Sequence, residues 1–523
     1  MRVLGTLQSL KTSRNPLVAF GLFVVMIFAA YMAAEAIIAD YINGVVFAAL
    51  LLLAGAVVVA VLNDWRRGVY VLVAWILFED FVRKYLGNNM AIYFGKDVLA
   101  IVLYISFFRA QRAKDFEKFR VPFRIPLLLF FWLGLLQVFN PASTSIFYGI
   151  LGMKVYFLYM PLTYVGYELM KSEEDLRRFY SFVCALILIV AGLGLAQSII
   201  GPTFLNPVNL QSDISELSTL YRAAPISGEV AYRPTSVFVS SGRFQDFLMV
   251  AWLISLGFSG YLLLRSRRGR TLAFTTVGVV GAASLMSASR GVFMWNSGDA
   301  LVVAAGFLWG APWRQGEVIR VMRAILRTAL LVGFGIIVLL VIFPKELGSR
   351  MAIYSETLMP NSPASDLVHR TQTYPLQQLE YAFDHPRWPY GYGMGTCSLG
   401  RQYVMRIMQA EPMYVGVESG YGNLVVQLGI AGLILWIVLG FSIASSTWKV
   451  VRELRGTPWF PLVFTIWWYT ILLFFPMMFA GNSPYEDFLL NAWLWLLLGI
   501  LYRLRMFSKA GKIAQDQAVP RET

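Results

Sequence analysis

Two cysteines and two histidines are all that the 523 residues contain. Cys184 falls inside an apolar run and Cys397 in a long polar segment, so no disulfide framework is expected. His369 and His385 stand apart, without CxxC or HxxxH spacing, which excludes a recognisable His/Cys metal centre. Charge is scarce too, at 14% of residues against 58% hydrophobic. With a mean hydropathy of +0.61, a water-soluble fold would expose large apolar patches, so lipid must be the solvent for much of the surface. Internal repeats, low-complexity tracts and a separate soluble domain are also missing. The chain reads as a single polytopic membrane domain over 1–523.

What is present is a series of apolar runs. Runs of roughly 17 to 25 residues are long enough to cross a bilayer as helices. They lie near 16–34, 44–62, 69–82, 94–108, 125–140, 153–169, 179–200, 244–264, 271–288, 292–312, 326–343, 421–445, 460–479 and 484–501. The expected fold is therefore an all-α integral membrane protein with about 14 transmembrane helices, 12 or 13 being the alternatives. The third and fourth runs are short and flank EDFVRKYLG, read as a charged turn between broken or re-entrant spans. The first run, behind Arg2, Lys11 and Arg14, is long enough to remain as a signal anchor. The aromatics, 15% of the chain, suit belts at the two membrane interfaces.

The net charge of +14 needs no nucleic-acid partner. With the N-terminus placed in the cytoplasm, the inner segments carry 30 of the 44 Lys and Arg residues. This positive-inside bias puts both termini in the cytoplasm, with basic loops such as RSRRGR (265–270) facing anionic lipid. The expected location is the cytoplasmic membrane. Two long segments then lie outside, 201–243 and 345–420, and connections of such length are usually functional. Within the second, TQTYPLQQLEYAF (371–383) has helical spacing, and DHPRWPYGYGMGT (384–396) must turn. The glycines of GYGMG fit tight turns better than a phosphate cradle, since neither a preceding strand nor a following Lys-Ser/Thr is present.

Arginine is disfavoured on the outer side, so Arg83, Arg222, Arg233, Arg243, Arg290, Arg350, Arg370, Arg387, Arg401 and Arg406 are informative. Some are solvated loop residues or partners of nearby acids. Arg290 lies between two runs joined with hardly any loop, where a guanidinium needs a carboxylate, a carbonyl or a phosphate. Its fork suits bidentate binding of phosphate oxygens. Arg243 opens a span and is either an anion ligand or an interfacial anchor paired with Asp246. Arg83, with Lys84, either adds to an anion site or caps a helix C-terminus. Lys154 and Asp299 fall inside spans, as functional groups or as an interhelical pair. Glu418 opens the run VESGYGNLVVQLGIAGLIL, either as a first-turn charge complementing the helix dipole or as a working group.

Four features together resemble the O-antigen ligase and polymerase superfamily of bacterial envelope proteins. They are RPTSVFVSSGRFQDF (233–247) before a span, the SRG at Ser289 to Gly291, Arg370 followed by HPRWPYGYGMG, and a helix start ending in QLGIAGLIL. EDFVRKYLG followed by GKDVLA adds to the likeness. The resemblance implies a lipid-donor glycosyltransferase architecture of the GT-C-like type. It implies joining of glycan repeat units, carried on a polyprenyl (undecaprenyl) diphosphate, to a glycan acceptor in exopolysaccharide or O-antigen synthesis. Membrane lipid and other polysaccharide assembly proteins are the further implied partners. It carries a diphosphate-binding role onto Arg290 and Arg370; from their positions alone, Arg243 is read as a third ligand and Arg233, Arg83, Lys154 and Asp299 as supporting groups. Where the ligases place a catalytic His-Asn, eleven residues before a glycine, this chain has Glu418 and Ser419. That departure favours polymerisation over ligation to a lipid A core, with Glu418 as the base. No nucleotide, metal or other cofactor is expected. The competing readings are a transporter of anionic solutes and a non-catalytic envelope scaffold.

The charge bias generates a direct check. A cysteine introduced as Ser362→Cys should label with an impermeant thiol reagent in intact cells whose outer barrier is permeabilised. Labelling only after the inner membrane is opened would invert the orientation.

Overall fold

The structure, a computed structural model, describes residues 52, 54–85, 90–113, 119–206, 220–310, 312, 341–398, 400, 401, 404, 405, 409, 417–481 and 484–518. The predicted span 16–34, the first half of 44–62, nearly all of 326–343 and Arg406 lie outside these residues. Among the described residues the helices are α1 (Ala54–Asn63), α2 (Trp65–Tyr85), α3 (Met90–Ala113), α4 (Arg124–Val138), α5 (Ile146–Phe157), α6 (Leu162–Leu169) and α7 (Glu173–Ile200). After them come α8 (Ser241–Arg265), α9 (Arg270–Met286), α10 (Arg290–Gly310), α11 (Pro344–Leu358) and α12 (Tyr374–Asp384). The last are α13 (Gly420–Glu453), α14 (Phe460–Phe474), α15 (Pro476–Ala480) and α16 (Phe488–Ala518). One antiparallel hairpin interrupts them, β1 (Tyr221–Ala223) on β2 (Val230–Tyr232), with Arg222 opposite Ala231.

Seven segments are long and apolar enough to cross a membrane: Ile146–Leu169, Glu173–Ile200, Ser241–Arg265, Arg290–Gly310, Gly420–Glu453, Phe460–Ala480 and Phe488–Phe507. Each falls on a run read from the sequence. Three further runs correspond to shorter apolar helices, α1, α4 and α9. The 15 residues of α4 extend about 22 Å at about 1.5 Å each, less than the hydrocarbon thickness of about 30 Å. Leu128, Leu129, Trp132 and Leu136 on α4, and Ile434, Val438 and Phe441 on α13, leave apolar side chains exposed, as a lipid-facing surface does. The chain is thus an all-α, multi-pass membrane protein.

One expectation is corrected. The charged stretch Glu79–Tyr85 is no turn. It continues α2 as a helix of 21 residues, and α3 runs unbroken for 24. The charges that suggested a loop are matched inside the protein. Arg83 bonds Asp80 one turn earlier at 3.1 Å, both side chains being almost fully buried. Lys84 donates to the Thr235 hydroxyl at 2.9 Å and the Ser236 carbonyl at 2.7 Å. Buried charged groups whose donors are satisfied in this way do not break a helix.

Contacts divide the chain into two compact units, Met1–Ile76 with Met90–Glu117, and Leu77–Asn89 with Lys118–Thr523. In the first, the rings of Trp65 and Phe107 meet edge to face at 5.1 Å. There Ser106 donates to the Leu62 carbonyl, and buried Lys96 lies over Tyr93. In the second, α16 packs on α6, α7 on α9, α8 on α9, α10 and α14, and α13 on α4, α12 and α14. One end of this bundle is bound by basic side chains. Arg265 pairs with Glu173, Arg505 with Glu453, and Arg503 donates to the Met170 carbonyl. The other end carries the hairpin, the SRG turn and the described residues of 341–420.

That segment is fastened by a break in α13. Gly429 has φ +71° and ψ −172° inside an otherwise continuous helix. Carbonyls there are released from the helix ladder and taken up elsewhere. Tyr392 N–H donates to Val426 O at 2.8 Å and Gly393 N–H to Gln427 O at 3.0 Å. The Gln427 side chain accepts from Gly395 N–H at 2.8 Å. From the other side, Gln137 and Asn140 of the α4 end donate to the carbonyls of Tyr390 and Gly391. GYGMG is therefore a strap between two helices, and its turns agree with the reading from sequence. A Cβ on Gly429 would lie 2.4 Å from the Pro389 carbonyl oxygen. Gly429→Ala should destabilise the folded protein by about 1–2 kcal/mol from backbone conformation alone, and by more from the clash. Thermal unfolding in detergent and faster proteolysis within 385–398 would register it; unchanged values of both would refute the strap.

Candidate functional site

The SRG turn joins α9 to α10 with Ala288 at φ +53°. The last turn of a helix leaves carbonyls without helical partners, and here three side chains from α11 and β1 bond the carbonyls at this turn. Tyr354 hydroxyl donates to Leu285 O at 2.9 Å, Arg350 Nε to Met286 O at 2.7 Å, and Arg222 to Ala288 O at 3.4 Å. Arg350 also donates to the carbonyls of Ser198 and Tyr232 and is only 2% exposed. It is a structural cation at a helix C-terminus. The hairpin is held by Glu356, whose carboxylate accepts from the N–H groups of Ile226 and Ser227. Ala224, Ala231, Ala288, Ile353 and Tyr354 form the apolar floor beneath.

Arg290 then stands as the first residue of α10, at the helix end whose dipole disfavours a cation. An anion must compensate, and Asp366 does: its carboxylate bonds Arg290 Nη1. The same carboxylate lies 3.8 Å from Arg370 Nε. Arg370 sits in a π-helical turn, His369–Thr373, that leads into α12. Two more cations come from the hairpin. Burial, with Arg233, Arg290 and Arg370 close by, brings Arg222 down to about 10, still protonated at neutral pH. Arg233 is lowered by burial and then by Arg290. Four guanidinium groups thus share one locality, brought together from three separate stretches of chain.

Glu418 joins the same surface. Arg370 lies over the Tyr374 ring, 5.0 Å from its centroid, and the Tyr374 hydroxyl donates to Glu418 Oε2. That bond is the main cause pushing the Tyr374 hydroxyl upward. Glu418 N–H donates to the Gln378 side chain at 2.9 Å. Ser419, not Glu418, is the N-cap of α13, accepting from Gly422 N–H at 3.3 Å. Glu418 therefore lies one residue outside the helix, not in its first turn, and is exposed.

The other sequence candidates have different surroundings. Arg243 does not pair with Asp246; it bonds both carboxylate oxygens of Asp80, at 2.8 and 2.7 Å, with Asp487 at 3.9 Å. Arg83 shares Asp80. Asp299 accepts from Trp468 Nε1 at 2.7 Å instead of pairing with Lys154. Lys154 lies on α5, which packs near Glu486 through Tyr156. Sequence reasoning missed Asp366 and Tyr374, which have no signal beyond their position four residues either side of Arg370. Arg222 carried the signal of an arginine on the disfavoured side. Among the described residues no group of three His, Cys, Asp or Glu side chains could hold a metal. Neither the known protein families nor the curated proteins contain a match to the chain.

The arginine cluster generates a binding prediction. Asp366 competes with any ligand anion for Arg290 and Arg370. Part-exposed ion pairs are worth about 0.2–1 kcal/mol. Asp366→Asn should therefore bind inorganic pyrophosphate more tightly than the unaltered protein, by up to about fivefold, and Arg290→Ala more weakly. Titration calorimetry on the purified chain reads both, and equal affinity in all three proteins would count against an anion site.

Proposed function

We propose that this protein polymerises or transfers glycan repeat units from a polyprenyl-diphosphate donor at the outer face of the cytoplasmic membrane. The observation that carries the reading is the gathering of Arg222, Arg233 and Arg370 around Arg290, with Asp366 between Arg290 and Arg370. A diphosphate with several negative charges would match this cluster better than a single carboxylate does, and guanidinium forks suit its oxygens. The resemblance to O-antigen polymerases and ligases, drawn from SRG, Arg370 and the Gly429 motif, points the same way. The charge bias of the sequence assigns this end of the bundle to the outer side. Polymerisation is preferred over ligation because Glu418 stands where the ligase pattern has histidine.

In the proposed reaction the acceptor hydroxyl oxygen attacks the anomeric carbon of the donor sugar. The bond from that carbon to the diphosphate oxygen breaks, and its electron pair leaves on the polyprenyl diphosphate. The arginines neutralise this developing charge, a contribution that acts mainly in the transition state. Glu418 takes the acceptor proton. Tyr374, bonded to Glu418 and stacked under Arg370, holds base and cation in register. Arg243 is assigned to the framework, because Asp80 already occupies its fork.

Purified protein supplied with lipid-linked repeat units and no nucleotide should release polyprenyl diphosphate and form longer glycans. Arg290→Lys and Arg370→Lys should fail nearly as badly as the alanine variants, since a point charge cannot reproduce the fork. Glu418→Gln should lose about 10²–10⁴ in rate with protein abundance unchanged. A normal polymer ladder from Glu418→Gln would remove the base. Absence of transfer by the unaltered protein across a panel of donors would favour the transporter.

A further inference from the structure

A cavity of about 260 Å³ opens between the ends of α8, α10 and α15. Gly242, Gly291 and Gly481 leave parts of its wall as bare backbone, and Gln245, Asp246 and Trp295 supply its chemistry. Hydrogen bonds tie it to the site described above. Ser289 of the SRG turn donates to Gln245 Oε1 at 2.9 Å. Gly420 N–H, two residues beyond Glu418, donates to Gly481 O at 2.9 Å. The cavity is thus bonded on one wall to the Arg290 turn and on another to the segment of Glu418.

Its polar groups await partners. Gln245 Nε2 is buried without a hydrogen bond. Among the described residues neither the Asp246 carboxylate nor the Trp295 indole N–H makes a side-chain hydrogen bond, and no other ring stacks on Trp295. The charged neighbours of Asp246 are Asp487 and Arg243. An alkyl chain in this cavity would leave the amide and the carboxylate unpaired, at a cost. A phosphate would have to sit beside the neighbouring acids Asp246 and Asp487, where a neutral ligand is favoured. A neutral polyhydroxylated ring fits all three groups: hydroxyls to the carboxylate and the amide, and its C–H face to the indole. The volume is just under the roughly 300–1,000 Å³ of small-molecule sites, enough for a single ring.

We propose that this cavity binds one uncharged sugar ring of the acceptor glycan, with Asp246 and Gln245 holding its hydroxyls and Trp295 its apolar face. This rests on the glycosyl-transfer reading and adds the acceptor subsite to it. Held there, the ring presents a neighbouring hydroxyl between the Glu418 carboxylate and a donor whose diphosphate the arginines hold. Asp246 takes no proton in the reaction; it fixes which ring is accepted and how it is turned.

The test uses the full chain in lipid nanodiscs. Lipid-linked repeat units extracted from the host membranes serve as donor, and short soluble fragments of the host's own polymer, from partial acid hydrolysis, serve as acceptor. Polyprenyl diphosphate release is followed against the concentration of each. Exchanging an Asp246 oxygen for an amide, or removing the aromatic face, should raise the acceptor KM about tenfold in Asp246→Asn and in Trp295→Ala. Donor KM should change less than about twofold, and Trp295→Phe should recover most of the acceptor affinity. Trp295 belongs to no ion pair, so Trp295→Ala decides alone if Asp246→Asn fails to fold. An acceptor KM unchanged in the folded variants overturns the acceptor subsite and leaves the transfer reading standing. No polyprenyl diphosphate release by the unaltered protein with any acceptor overturns both.

Discussion

At Gly429 a helix of 34 residues gives up its regular hydrogen bonding, and the carbonyls released there hold the strap 389–395. This exchange organises much of the second unit. A long segment between membrane helices carries many backbone groups that need partners, and α13 provides some of them in its own interior. The strap in turn is gripped by Gln137 and Asn140, so α4 and α13 share one insert. With its C-terminal part fixed, the segment begins α12 at Tyr374, and α12 brings Gln378 and Tyr374 against Glu418. A left-handed φ with a carbonyl 2.4 Å from the place of a Cβ leaves glycine as the residue that fits.

In the second unit, cations fall into two kinds according to what they meet. Arg350 and Lys84 spend their donors on backbone carbonyls and a hydroxyl, while Arg83 and Arg243 converge on Asp80. These are structural, because their buried donors already have acceptors. Arg222, Arg233, Arg290 and Arg370, besides their own partners, have one another as neighbours, and the burial of Arg222 and Arg233 makes that repulsion harder to screen. A protein keeps such a cluster together only by tying down its backbone. Glu356 on the hairpin, and Tyr354 and Arg350 on the α9 carbonyls, do so.

The same end of the bundle also contains a compartment that no arginine lines. Asp246, Gln245 and Trp295 line it while the arginines stand beyond the Ser289 bond. Placing a carboxylate on one side of a turn and guanidinium groups on the other separates a site for a neutral polar group from a site for an anion. That separation would orient a substrate with two chemically different ends, and it follows from two helix starts, α8 and α10, meeting at one turn.

The sequence alone determined the solvent and the class of fold. Apolar length sets which segments can cross a bilayer, and all seven long apolar segments among the described residues coincide with runs read from sequence. The helix at 374–384 and the turns of GYGMG were legible as well, because periodicity and glycine act locally. Glu79–Tyr85 was misread because local charge density looks like a loop, whereas its partners Thr235 and Arg243 lie more than 150 positions away. The assignment of each arginine was likewise a matter of tertiary structure. Arg243 and Arg290 look alike in sequence, each at a helix start on the disfavoured side. Asp80 occupies one, while Asp366 leaves the other among like charges, and long-range proximity of this kind is not written in the spacing of residues along the chain.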